Sequence, residues 1–156
     1  MIRMSKLTDY AIVILAHLAR SERTLTASEL SERSKVPPPT VSKLCKELTR
    51  AGIVVSHRGR HGGYGLARPP DRISVAEVVE ALEGPIALTE CSSSGAERCG
   101  IEETCFARGS WDPVSRAILG ALQGLPLSAI GPFREATSDV VTLRAPVEKS
   151  TTVVPE

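Results

Sequence analysis

Three cysteines, Cys91, Cys99 and Cys105, fall within fifteen residues of a run rich in Ser, Gly and Glu. A stretch that polar buries nothing, so its thiols are not core groups. Soft thiolates on a chain able to fold around an inorganic unit are a typical protein contribution to a metal or iron–sulfur centre. A fourth cysteine, Cys45, falls on the inner face of a helical pattern and reads as a small core residue. Structural zinc is usually held by four Cys or His. No histidine follows His61, so a closed zinc site would need a carboxylate or another chain. A thiol switch, in which two of the three cysteines pair on oxidation, uses the same residues differently.

No catalytic constellation competes with this reading. His17, His57 and His61 all precede the cysteine run, and no nucleophile–base pair or carboxylate couple stands at a recognisable spacing, so an enzyme is not expected. The glycines of residues 59–65 lack the Lys-Ser/Thr and the strand-to-helix setting of a nucleotide-binding loop. No segment approaches the roughly 18 apolar residues that cross a bilayer, and no early apolar run precedes a small-residue cleavage site. A cytoplasmic location is expected, where clustered cysteines more often bind metal or sense redox than form structural disulfides.

The net charge of +1 hides an uneven distribution. Residues 1–34 hold five Lys/Arg and four Asp/Glu, residues 35–70 seven and one, and residues 71–156 seven and thirteen. A basic middle third is the footprint of a phosphate-binding surface, although charge alone also fits a solvated face.

The elements that must position these groups are mostly helical, because aromatics make up only 3% of the chain and the core must be Leu, Val, Ile and Ala. Leu7, Ala11, Ile14, Leu15 and Leu18 make one stripe of a first helix. Thr26 and Glu29 form a capping box that starts a second, over about 26–34. Prolines 37–39 separate it from a third, from about Pro39 to Ala51. There Val41, Leu44, Cys45 and Leu48 face inward, Thr40, Ser42, Lys43, Lys46 and Arg50 outward, and Gly52 ends the helix.

Two such helices joined by a tight turn suit a helix-turn-helix. Ile53 to Arg58 then has strand character and leads through Gly59-Arg-His-Gly-Gly-Tyr-Gly to Leu66, a β-hairpin with a basic tip that fits the wing of a winged helix. Ser74 and Glu77 cap a fourth helix, whose face of Val75, Val78, Val79 and Leu82 should close the core against the first until Gly84-Pro85 stops it.

From Trp111 to Gly124, Val114, Ile118, Ala121 and Leu122 recur at helical spacing. One helix beyond a self-sufficient domain cannot cover that stripe, so a homodimer is expected. A short helix over Leu127 to Ala136 and a disordered tail after residue 137 complete the reading. The expected fold is therefore mainly α with a small β-hairpin: a winged helix-turn-helix domain (1–84), a cysteine loop (85–110), a dimerisation helix with its following segment (111–137) and the tail (138–156).

The order Leu7-Thr-Asp-Tyr-Ala, Pro39-Thr-Val-Ser-Lys, Ser56-His-Arg-Gly-Arg-His-Gly-Gly-Tyr, Ile73 to Gly84 and the cysteine loop ending in Trp111 resembles bacterial iron–sulfur-dependent winged-helix repressors. The nearest subgroup regulates the Suf iron–sulfur cluster assembly operon and is related to the Isc-type regulator and to nitrite- and nitric-oxide-responsive repressors. The resemblance covers about residues 2–130. It implies a repressor of cluster-assembly genes that binds a double-stranded DNA operator as a homodimer and carries an iron–sulfur cluster, of the [2Fe-2S] type.

By the same resemblance, Cys91, Cys99 and Cys105 match the cluster ligands. Arg58, Gly59, Arg60, Gly62, Gly63 and Tyr64 match the minor-groove wing, and Thr40, Ser42 and Lys43 lie on the recognition helix. Ser28 and Lys46 complete the expected DNA-contacting set. Two positions depart from the pattern. Isc-type relatives have a glutamate at the place of Ser42, which helps them choose between operator classes. They also have a histidine three residues after the third cysteine, where this chain has Arg108, a side chain that cannot release its proton to bind iron. Some nitric-oxide-sensing relatives use instead an aspartate near the start of helix one, donated by the other subunit. Asp9 stands at that position and is the expected fourth ligand, with Glu97, Glu102 or Glu103 as substitutes and a helix N-terminal charge as its plain structural role.

Overall fold

The computed structural model describes residues 3–59, 62–89, 105–107 and 109–130. Helix α1 (Lys6–Ala19) starts at Ser5, whose side chain accepts a hydrogen bond from the Thr8 N–H, and it buries Ala11, Ile14, Leu15 and Leu18 along the expected stripe. Helix α2 (Ala27–Ser34) carries both halves of the Thr26–Glu29 capping box. A single residue, Leu30, anchors it in the core.

The turn after α2 depends on residues the sequence did not flag. Lys35 adopts a left-handed conformation at φ 59°, a geometry that usually goes to glycine. Serines hold the chain there: Ser31 Oγ donates to the Val36 carbonyl at 2.6 Å, and Ser34 Oγ accepts from the Val36 N–H at 3.2 Å. Helix α3 (Pro38–Arg50) follows, with proline in its first turn, where no intrahelical N–H is needed.

Val41, Leu44, Cys45 and Leu48 are buried as expected, while Ser42, Lys43, Lys46 and Arg50 are exposed and Thr40 is half-buried. The end of α3 is a Schellman motif. Gly52 takes φ 70°, its N–H donates to the Thr49 carbonyl, and the Ile53 N–H donates to that of Leu48. Leu48 and Ile53 are both fully buried, each worth about 1.5–3 kcal/mol of transfer free energy.

Strands β1 (Val54–His57) and β2 (Gly63–Leu66) pair antiparallel, with Val54 opposite Leu66 and His57 opposite Gly63. The 3₁₀ turn Pro70–Arg72 leads to α4 (Val75–Glu83), which has the expected Ser74–Glu77 capping box and packs on α1 and α3. Val75, Val78 and Val79 are buried and Leu82 half-buried. Gly84 caps its end.

Helix α5 (Asp112–Gln123) forms where the spacing predicts it, but its stripe is only partly covered. Ile118 and Leu122 are half-buried, Val114 and Ala121 are exposed, and Ser115 is the one buried residue of the helix. Beyond it the expected helix from Leu127 is a single 3₁₀ turn, Leu127–Ala129, ended by extended backbone at Ile130. The remainder of that expectation, residues 131–136, and the tail lie outside the described residues.

This turn also returns to the winged-helix core. Leu127 is 0% exposed, its N–H donates to the Ile73 carbonyl at 2.8 Å, and the Val75 N–H donates to the Leu125 carbonyl at 2.9 Å. Among the described residues no helix is long and apolar enough to cross a membrane.

Candidate nucleic-acid interface and cysteine site

Helix α3 presents a polar outer face because its apolar residues occupy one stripe and its hydroxyls and lysines the other. Ser42, Lys43 and Lys46 lie open on it, and Ser28 lies open at the start of α2. The basic surplus of the middle third is smaller than a count suggests. Arg50 pairs with Glu47 at 2.5 Å and Arg68 with Glu77 at 2.6 Å. Among the described residues Lys35, Lys43, Lys46 and Arg58 make no ion pair, so these four carry the local positive field.

The hairpin is held by an attachment that the sequence did not announce. Leu25, in the link between α1 and α2, exchanges both backbone hydrogen bonds with Tyr64 and is itself fully buried. Tyr64 is half-buried against the core, so at least part of its surface is structural. Gly62 and Gly63 also meet protein. A Cβ on Gly63 would lie 2.7 Å from the Leu25 carbonyl oxygen, and one on Gly62 would lie 2.3 Å from that of His57. These glycines are needed for close approach within the wing. Arg58 and Gly59 stand exposed at its tip, and Arg60 lies outside the described residues.

Of the cysteine trio, Cys105 is described: a free thiol, half-buried, seven residues before the start of α5. Cys91 and Cys99, like Glu97, Glu102, Glu103 and Arg108, lie outside the described residues. Cys45 is sealed in the core, where burial pushes its thiol up to about 11, and it is unavailable as a ligand. Asp9 is exposed in the first turn of α1. Among the described residues no group of three or more His, Cys, Asp and Glu is placed to hold a metal ion. The donor chemistry still fits an iron–sulfur group, since the accessible thiol belongs to the trio and the inaccessible one does not.

The chain entering the cysteine run is fastened at two points. Glu83 Oε1, on the last residue of α4, accepts the Thr8 hydroxyl and, at 2.9 Å, the Ser5 N–H, both at the start of α1. These bonds, the Thr8 hydroxyl first, hold the Glu83 carboxyl below its ordinary range. Five residues on, the Leu88 N–H donates to Ser115 Oγ of α5 at 3.2 Å. Neither fastening could be read from spacing, because each joins residues far apart in the chain.

The family model described as an iron-dependent transcriptional regulator, Rrf2, matches residues 4–131. The chain belongs to the Rrf2 family. An rrf2-like HTH-type transcriptional regulator of Rhodobacter capsulatus is 35% identical over 123 residues, covering 75% of this chain and 82% of that protein. Among solved structures, IscR of T. potens superposes with a TM-score of 0.59 at 25% identity, covering 82% of this chain and 85% of that one. CymR, the global cysteine regulator of B. subtilis, superposes with a TM-score of 0.64 over 86% of this chain and all of its own, and at 23% identity shows the shared fold. This Rrf2 protein is thus a winged-helix, DNA-binding transcriptional regulator and not an enzyme.

Proposed function

We propose that this Rrf2 regulator is a homodimeric repressor of iron–sulfur cluster assembly genes, sensing cluster or redox status through a [2Fe-2S] cluster on Cys91, Cys99 and Cys105. Asp9, offered by the second copy, is the fourth ligand. When bound, such a cluster supplies iron whose oxidation state and ligands change with oxidants, nitric oxide or cluster supply. The observation that carries this reading is the contrast between cysteines. Cys105 is half-buried and partly accessible at the approach to α5, whereas Cys45, outside the trio, is closed in the core. The family description as iron-dependent supports it.

In this reading Ser28, Thr40, Ser42, Lys43 and Lys46 meet the major groove and its phosphates, and Arg58, Gly59, Arg60, Gly62, Gly63 and Tyr64 form the minor-groove wing. The partly covered face of α5, with Trp111 and Val114 exposed, is where a second copy packs. That packing must set the two recognition helices about one turn of duplex apart, roughly 34 Å. A change at the cysteine run alters DNA affinity only if it favours one arrangement of the two heads over another.

The free Cys105 thiol also suits a second reading, a regulator that responds through thiol oxidation without a cluster. Anaerobic purification with a visible spectrum and iron and sulfide analysis, followed by operator binding before and after air, separates the two. Iron and sulfide in near-equal amounts with a change in affinity on their loss is expected. Iron-free protein that responds to oxidant through its cysteines would establish the second reading instead.

A further inference from the structure

The bond network at Glu83 does more than end a helix. Ser5 Oγ accepts from the Thr8 N–H and lies 3.1 Å from the Thr8 hydroxyl oxygen. The Thr8 hydroxyl has one proton and spends it on Glu83 Oε1, so Ser5 Oγ donates to Thr8 in turn. Thr8 is 2% exposed, which makes the hydroxyl costly to leave unpaired. The result is a closed clasp between the first turn of α1 and the last residue of α4.

Its position in the chain is what matters. Glu83 precedes Gly84, Pro85 and the run to Cys91, and Thr8 precedes Asp9. The intervening stretch is held again at Leu88 by Ser115 of α5. A shift of chain at residue 89 and beyond therefore reaches two fixed points, one on the helix that packs on α1 and α3 and one on α5. Helices α1, α3 and α4 share a single core through Ile14, Leu44, Leu48 and Val78, so a shift of α4 against α1 presses on packing that α3 also shares.

We propose that Glu83 is a positioning residue that, through Thr8 and Ser5, transmits the state of the cysteine site to the DNA-reading helices. This rests on the reading given above. It assigns the transmission to a bond pair that neither touches DNA nor ligates metal.

The test compares wild type with Thr8→Val, Glu83→Ala and Glu83→Gln in the full chain. The readout is the ratio of operator affinities between cluster-loaded and cluster-free protein. Couplings of this kind run from about 5- to 150-fold. The ratio should fall to within about twofold in T8V and E83A, and it should persist in E83Q, whose amide oxygen accepts the same two bonds. A merely structural role would weaken both forms alike and leave the ratio unchanged.

Hydrogen exchange at the Ser5 amide supplies a readout in cluster-free protein: faster in E83A, unchanged in E83Q. T8V replaces a buried side chain by one of equal shape, so it remains informative if E83A fails to fold. Variants that load the cluster and keep the wild-type ratio overturn the relay while the proposed function stands. A wild-type ratio of one overturns both.

Discussion

Leu25 and Tyr64 exchange both of their backbone hydrogen bonds, at 2.9 and 2.8 Å, and so add a third strand-like rung to the two-stranded wing. The wing is therefore fastened to the link between α1 and α2, and its orientation follows the helix-turn-helix rather than floating on a free hairpin. Gly63 makes this possible, because any side chain there would meet the Leu25 carbonyl.

Gly63→Ala should accordingly cost about 1–3 kcal/mol, the range for forcing an extra carbon into a packed site. Urea denaturation of the cluster-free protein measures it. Gly59→Ala, where an added Cβ meets nothing within 4 Å, still loses the left-handed freedom used at φ 111° and should cost about 1 kcal/mol. Equal and negligible losses at both positions would contradict the fastened wing.

Arg58 is exposed at the wing tip without an ion pair among the described residues. Arg58→Glu should weaken DNA binding and make the negative salt slope, d log K/d log[salt], shallower by about 0.9, since one phosphate fewer is neutralised. Arg50→Glu, at a side chain already committed to Glu47, serves as the comparison and should move the slope less. Operator titrations across a series of salt concentrations provide the measurement.

Two thiols described by the structure should behave oppositely. Cys45 has its thiol raised to about 11 by burial, whereas Cys105 is partly accessible. In cluster-free native protein an alkylating reagent at mildly alkaline pH should modify Cys105 within minutes and Cys45 only after unfolding, read by peptide mass spectrometry. Modification of Cys45 at the rate of Cys105 would contradict the packing of α3.

Acid should destabilise the fold in two steps. Burial first, then the charges of Arg33 and Arg20, hold His17 below 6.5. The unfolded chain takes up that proton first, and stability falls as pH drops through 6.5 toward the lower folded value. Glu29 is held at about 2, by Arg23 and then Thr26. For Glu77, burial pushes the carboxyl up, but Ser74 and Arg68 outweigh it, and Glu83 is lowered by Thr8 and Ser5. Their contributions are present above 4.5 and are lost as pH falls below it toward those folded values. Melting temperature against pH should therefore decline in both windows, and His17→Gln should remove the upper one.

Most of the winged helix was legible because its signals are local. Thr26 with Glu29 and Ser74 with Glu77 are reciprocal pairs three residues apart, and the α3 stripe of Val41, Leu44, Cys45 and Leu48 repeats within one helix. What stayed hidden joins distant residues: Leu25 with Tyr64, Glu83 with Thr8, Ser115 with Leu88, and Leu127 with Ile73. Leu127 shows the reason. A short helix is expected to begin there, but one buried leucine paired to the chain before α4 outweighs propensity, and Leu127–Ala129 form a single 3₁₀ turn that ends in extended backbone at Ile130. On α3, residue type placed Ser42, Lys43 and Lys46 on the exposed outer face, where the structure has them. It could not show that Gly62 and Gly63 are required within the wing itself.

The most direct test of the central claim is the affinity of one protein preparation for promoter DNA of cluster-assembly genes, at fixed salt, with its cluster and after the cluster is removed. Iron and sulfide content are measured on the same samples. The expected result is a coloured anaerobic protein whose affinity changes by about 5-fold or more on cluster loss, with the change abolished when Cys91, Cys99 and Cys105 are replaced by alanine. Equal affinity of the loaded and emptied protein would contradict it.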